Sequence, residues 1–253
     1  MTPEVIKALI LTSIAGLSTT IGSILGLIFK RENKKFMSFV LGFTAGVMVG
    51  VSFFELLPSG FEEIGFIKAS IAFIAGFLFI FMIDYFIPHE YIGQKERVTD
   101  KTDKKLLRTG LFVALGIGIH NFPEGMATFY SSLVDIRVGT AIAVAIAIHN
   151  IPEGIAVSAP VYKATGSRSK AFLWSFLSGV VEPIGAVLTA FVLLPFLNPV
   201  ILGYILSAIA GLMVFISIDE LLPVSKSYGY SHLPIVSFIV GMVVMILSLM
   251  LLQ

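Results

Sequence analysis

The chain has 253 residues, of which 57% are apolar and only 13% charged, and its mean hydropathy is +0.96. These values exceed those of ordinary water-soluble domains and predict an all-α, polytopic membrane protein. Cysteine is absent, which excludes a disulfide framework and thiolate metal sites, so any metal must be held by nitrogen and oxygen. The net charge of +1 is uninformative in itself, because in a membrane chain the placement of charges sets orientation.

A membrane-spanning helix needs about 20 apolar residues. Eight such windows follow one another, over residues 5–29, 36–57, 66–88, 107–130, 137–162, 171–194, 200–222 and 233–252. The first lacks a basic leader and a small-residue cleavage site, so it reads as a retained span. The connections are short and polar except for the segment 89–105, a charged cytoplasmic loop. Basic residues fall unevenly on the two sides. One side collects Lys30, Arg31, Lys34, Lys35, Lys95, Arg97, Lys101, Lys104, Lys105, Arg108, Lys163, Arg168, Lys170 and Lys226, and the other only Lys7, Lys68 and Arg137. By the positive-inside rule the first side is cytoplasmic, which puts both termini outside the cell membrane.

The sequence repeats itself. AGVMVGVSFFELLP at Ala45 to Pro58 aligns without a gap with AGLMVFISIDELLP at Ala210 to Pro223, and AGLSTTIGSIL at Ala15 to Leu25 aligns more weakly with SGVVEPIGAVL at Ser178 to Leu188. Spans one to three (1–88) therefore match spans six to eight (170–253). Five crossings separate the members of each pair, so the halves have inverted topology, as in alternating-access transporters. Spans four and five (106–163) form an antiparallel central pair.

That central pair carries the chemistry. HNFPEG at His120 to Gly125 recurs as HNIPEG at His149 to Gly154. On a helix His120, Asn121 and Glu124 share one face, and His149, Asn150 and Glu153 repeat the arrangement. Pro123 and Pro152 each remove a backbone donor within the motif, and Gly125 and Gly154 admit a neighbouring helix. At about 1.5 Å per residue both motifs lie near mid-membrane, and a third carboxylate, Glu182, stands mid-span before Pro183. Three carboxylates with no Lys or Arg at that depth must be protonated or neutralised by a cation. Imidazole with carboxylate and amide oxygen suits Zn²⁺, Fe²⁺ and similar dications. Glu124 and Glu153 each face both the His side and the Asn side, which accommodates two adjacent metal positions.

With these motifs the whole chain resembles the ZIP (Zrt/Irt-like) family of divalent metal transporters. The resemblance implies eight helices in a 3+2+3 order and a binuclear metal site from spans four to six. One metal is expected at His120, Glu124, His149 and Glu153, and the second at Asn121, Glu124, Asn150, Glu153 and Glu182. It also implies a homodimer in the lipid bilayer that moves Zn²⁺, with iron, manganese and cadmium, into the cytoplasm. The metal, Zn²⁺ or Fe²⁺, is bound as cargo, with no catalytic cofactor. The family often has a His-rich loop between spans three and four; here that loop holds only His89.

Peripheral residues carry less. Glu55 and Glu220 are repeat mates at opposite mouths, Glu55 outside and Glu220 inside beside Asp219, where they are candidates to guide a cation in and out. Glu62, Glu63 and Asp135 join the outer mouth and Asp84 the inner one. His89 and His232 read as loop residues, Met48 and Met213 as packing, and the Phe-rich stretch from Phe73 to Phe86 as lipid-facing surface. An intramembrane metalloenzyme is disfavoured because HE-x-x-H and E-x-x-H spacings are absent. A metal-sensing receptor lacks an output domain. Neither an enzyme nor a nucleic-acid partner is expected.

Overall fold

The computed structural model describes residues 2–28, 33–85, 100–196 and 198–252, and side chains within these except at 100–113, 160, 163, 251 and 252. Among the described residues there are eight long helices: α1 (Pro3–Ile28), α2 (Lys34–Ile64), α3 (Phe66–Tyr85), α4 (Asp100–Val134), α5 (Ile136–Thr165), α6 (Arg168–Phe196), α7 (Pro199–Ser227) and α8 (Leu233–Leu252). Each overlays one predicted span. Seven are long and apolar enough to cross a membrane, and α4, with 35 residues, exceeds the ~20 that a crossing needs. Of the predicted 89–105 loop, residues 89–99 lie outside the described residues, together with His89, Lys95, Arg97, Lys30, Arg31 and Phe86, and residues 100–105 already belong to α4.

Local chemistry sets the boundaries. Asn33 accepts from Phe36 N at 3.0 Å, Asp135 from Arg137 N at 2.8 Å, Ser167 from Lys170 N at 3.3 Å and Asn198 from Ile201 N at 3.0 Å, so α2, α5, α6 and α7 each begin on a polar cap. Two helices stop at left-handed glycines, α2 at Gly65 (φ 80°) and α5 at Gly166 (φ 64°). The helix α2 runs past its predicted end because a π-helical turn, Ser52–Leu56, takes up the strain of Pro58. Its repeat mate α7 does the same with Ile216–Leu221 ahead of Pro223. The wider turn, closed by Leu57 N to Ser52 O and by Leu222 N to Ser217 O, moves the carbonyls away from the proline ring and keeps the helix going. Ser52 and Ser217 donate to Met48 O and Met213 O, both at 2.7 Å.

Spatial grouping cuts across chain order. Helices α1, α4, α5 and α6 pack on one another, and so do α2, α3, α7 and α8, with only limited contact between the two groups, chiefly α2 on α5 and α4 on α7. Large apolar side chains fill the second group, among them Met48, Leu206, Met213 and Met245. The first group is held by close backbone approach. Gly22 of α1 lies against Ile151 O of α5, and Gly185 of α6 lies against Phe122 O of α4; Gly154 meets Thr19 O, and Gly125 meets Glu182 O. These contacts come in pairs. Exchanging α1 with α6 and α4 with α5 by the sequence alignment turns each contact into the other. In the second group Gly46 against Phe238 O, with Gly211 against Phe73 O, obeys the same exchange.

The Phe-rich surface needs one correction. Phe79, Phe81 and Met82 are exposed, but Phe73 and Phe77 are half-buried on α7. The Phe77 ring meets Phe215 edge-on at 5.2 Å, because a helix with apolar residues all round still presents one face to its neighbour.

Gly154→Val should overpack a backbone contact that cannot yield, costing about 2–3 kcal/mol and lowering the melting temperature of the purified protein by roughly 5–10 °C. Gly116→Ala, where an added Cβ meets nothing within 4 Å, should leave it unchanged.

Candidate metal centre

The two motifs face each other at the crossing of α4 and α5, where α6 closes over them. His120, Asn121, His149, Asn150, Glu153 and Glu182 are 0% exposed and Glu124 is 2% exposed. The imidazoles and carboxylates pair between the two motifs. His120 Nε2 lies 3.1 Å from Glu153 Oε1, and His149 Nε2 lies 3.4 Å from Glu124 Oε2. Each histidine thus engages the other motif's glutamate rather than its own, so neither half is complete without the other.

The asparagines are oriented the same way. Asn121 Nδ2 donates to Ser178 O of α6 at 3.1 Å, and Asn150 Nδ2 donates to Ala15 O of α1 at 3.0 Å; Ser178 and Ala15 are aligned positions of the repeat. Spending the amide protons on backbone carbonyls leaves the amide oxygens turned to the interior. Asn150 Nδ2 also donates to Glu182 Oε2 at 2.8 Å. Asn121 Oδ1, Asn150 Oδ1, Glu124 Oε1, Glu153 Oε2 and Glu182 Oε1 are all buried with no hydrogen-bond partner in the protein. Leaving so many oxygens without partners is costly, and all five are lone-pair donors of the kind a dication accepts. By donor chemistry the set is one that a divalent metal would accept, although no three of its His and Glu donors lie within 4.8 Å of one another.

A cleft leads from this cluster. It is lined by His120 and Glu153 at its inner end, passes Met48, Ile119 and Phe215, and reaches Asp84 and Glu220 at its mouth, between the two helix groups. Asp84, Asp219 and Glu220 are half-buried there, and their oxygens lie within 4.8 Å of one another, the one such group of three among the described residues. Asp84 therefore belongs with Asp219 and Glu220, and Met48 lines the cleft as well as packing. Glu55 stands at the other end of α2, where Glu62 is close enough to repel it. Asp135 serves as the cap of α5. Sequence reasoning missed the cleft, and it missed the buried hydroxyls of Thr19 and Ser23 on α1, which have no partner.

Along the path that the repeat alignment relates to this cleft, Ala145, the mate of half-buried Gly116, is fully buried, whereas Met213, Met245, Val51 and Leu56 are as buried as their mates Met48, Ile80, Ile216 and Leu221.

Fold and site together define a polytopic membrane protein with a buried cluster of nitrogen- and oxygen-bearing side chains that a cleft reaches. The family profile described as ZIP Zinc transporter matches residues 88–249. A protein named zinc transporter ZupT from Streptococcus mutans is 48% identical over 99% of both chains. Proteins of the same name from Chlorobium phaeovibrioides and Clostridium perfringens are 51% and 48% identical, covering 98% of this chain and 99% and 96% of theirs. The chain belongs to the ZIP zinc transporter family.

Since the chain has no cysteine, single introduced thiols report access without background. In permeabilised membranes without metal, Gly116→Cys should react readily with a water-soluble maleimide, and its mate Ala145→Cys should react at least about tenfold more slowly. Equal rates would show that the two paths are equally open.

Proposed function

We propose that this protein takes up Zn²⁺, and with it Fe²⁺, Mn²⁺ and Cd²⁺, into the cytoplasm by alternating access through a binuclear site. The first metal is held by His120, Glu124, His149 and Glu153, and the second by Asn121, Glu124, Asn150, Glu153 and Glu182. The observation that carries this reading is the set of five partnerless carboxylate and amide oxygens, buried where, among the described side chains, no lysine or arginine is buried with them. The names of the relatives point to zinc and to transport rather than to an enzyme.

Direction rests on family membership, and the charge pattern gives the sidedness. The cleft opens toward the side that collects 14 of the 17 basic residues, the cytoplasmic side by the positive-inside rule, with both termini outside and the protein in the cell membrane. Asp84, Asp219 and Glu220 then form the exit, and Glu55 marks the entrance that opens when the repeats exchange roles. The limited contact between the helix groups suits such an exchange, since relative motion breaks few packed surfaces. Metal replaces the charge compensation that each histidine and glutamate otherwise give each other, which couples occupancy to the arrangement of α4 and α5. Family membership further supports a homodimer.

The deciding experiment is uptake of Zn²⁺, Fe²⁺, Mn²⁺ and Cd²⁺ into liposomes containing only this protein, with internal pH recorded. Glu124→Ala and Glu153→Ala should abolish uptake while the protein stays folded, because each substitution removes a bridging carboxylate and relieves repulsion in the metal-free state. Wild-type uptake by Glu124→Ala at equal membrane abundance would overturn the site. His149→Ala should impair zinc most, whereas Asn150→Asp should change the ratio of metals by adding charge to the oxygen-rich position.

Protons compete with the metal for every ligand. Binding requires deprotonated carboxylates and neutral imidazoles, so uptake at subsaturating Zn²⁺ should fall as pH is lowered from 7 toward about 5, where imidazole gains its proton. A flat profile over that window would refute the ligand set.

A further inference from the structure

The exchange that relates the two halves of the centre leaves one position unmatched. Glu182 of α6 corresponds to Thr19 of α1 in the aligned segments, and the contacts bear out the correspondence. A Cβ placed on Gly16 would stand 2.9 Å from Glu182 Cβ, and one placed on its mate Gly179 would stand 2.8 Å from Thr19 Cβ. Thr19 O touches Gly154 as Glu182 O touches Gly125. Around these two residues Asn150 bonds Ala15 O, and Asn121 bonds Ser178 O. The partners diverge at one point: Asn150 has the carboxylate of Glu182 within 2.8 Å, whereas on the Asn121 side α1 offers a threonine. Thr19 is 0% exposed and its Oγ1 has no hydrogen-bond partner.

A fully buried threonine usually returns its proton to the carbonyl one turn back, as Thr12, Thr44 and Thr189 do at 2.8–2.9 Å. Thr19, like Thr128 among the fully buried threonines, does not. It alone of the two stands at the position that carries a carboxylate in the other half.

We propose that Thr19 is a selectivity-determining residue of the metal centre, its Oγ1 supplying a neutral oxygen to the ion held by Asn121, Asn150 and Glu182, from the α1 side, opposite the anionic oxygen of Glu182 on α6. This rests on the binuclear reading above. The exchange of a charged for a neutral oxygen makes the two sides unequal. The ion between them then has a hard, uncharged donor on the Thr19 side, which matters more to Mn²⁺ than to the softer Cd²⁺.

The test compares Thr19→Val, which keeps the shape and removes the oxygen, with Thr19→Ser, which keeps the oxygen, in liposome uptake of Mn²⁺ and Cd²⁺. Thr19→Val should raise the KM for Mn²⁺ about tenfold, the size of effect that loss of a supporting ligand group gives, and that for Cd²⁺ less than about threefold; Thr19→Ser should transport both like the wild type. Should Thr19→Val fail to reach the membrane, Thr19→Ala carries the same two-metal comparison. Unchanged KM values, or an equal loss for both metals, would overturn the proposal and leave Thr19 a packing residue. Glu124→Ala is measured alongside. If it too retains uptake, the metal centre itself is misassigned; if it is inactive while Thr19→Val is unaffected, only the role of Thr19 fails.

Discussion

Everything in this molecule is arranged around three carboxylates taken out of water. Glu124, Glu153 and Glu182 lie at the crossing of α4, α5 and α6, where no lysine or arginine is buried among the described side chains, and an isolated carboxylate in an apolar interior costs several kcal/mol. In the metal-free molecule the crossed pairs His120 with Glu153 and His149 with Glu124 supply part of the compensation. A dication supplies it better, because one ion can engage several of the oxygens that the protein leaves without partners.

That demand explains the contrast between the two helix groups. Bringing ligands from three helices onto one small ion requires backbones close together, and glycine at positions 22, 125, 154 and 185 permits it by letting each helix rest on a neighbour's carbonyl. The other group, α2, α3, α7 and α8, holds no part of the proposed ligand set and packs around methionine, leucine and phenylalanine. Prolines are treated differently in the two groups. Pro123, Pro152 and Pro183 sit in uninterrupted α-helix within the ligand-bearing group, while Pro58 and Pro223 are each preceded by a π-helical turn. Those turns put Glu55 and Glu220 at opposite ends of the molecule, each on the widened stretch of its helix.

The cleft reaches Asp84, Asp219 and Glu220, and the repeat alignment relates it to a path toward Glu55. The two differ in their acids: the mates of Asp84 and Asp219 are Leu249 and Phe54, so the cleft carries a three-carboxylate group and the related path keeps only Glu55 from that set. At the centre the difference is Glu182 against Thr19. A strictly symmetric site would hold its ions equally from both faces, and these substitutions remove that equality.

A large share of this was legible in the chain itself. Eight apolar windows gave the eight helices because a span of about 20 residues has no other way to satisfy its backbone in lipid. The doubled HN-x-PEG segments marked the cluster because three ligating residues at i, i+1 and i+4 share a helix face. The repeat at ELLP paired positions whose glycine contacts also match, Gly46 on Phe238 O and Gly211 on Phe73 O. What the chain could not disclose is which motif answers which. Helical spacing brings His120 beside Glu124, yet the carboxylate that reaches His120 is Glu153, a pairing set by how α4 crosses α5. The half-buried face of α3 at Phe73 and Phe77, the cleft and the partnerless hydroxyl of Thr19 likewise arise only when helices distant in sequence pack together. Periodicity records which residues share a face, and only tertiary contact decides what that face meets.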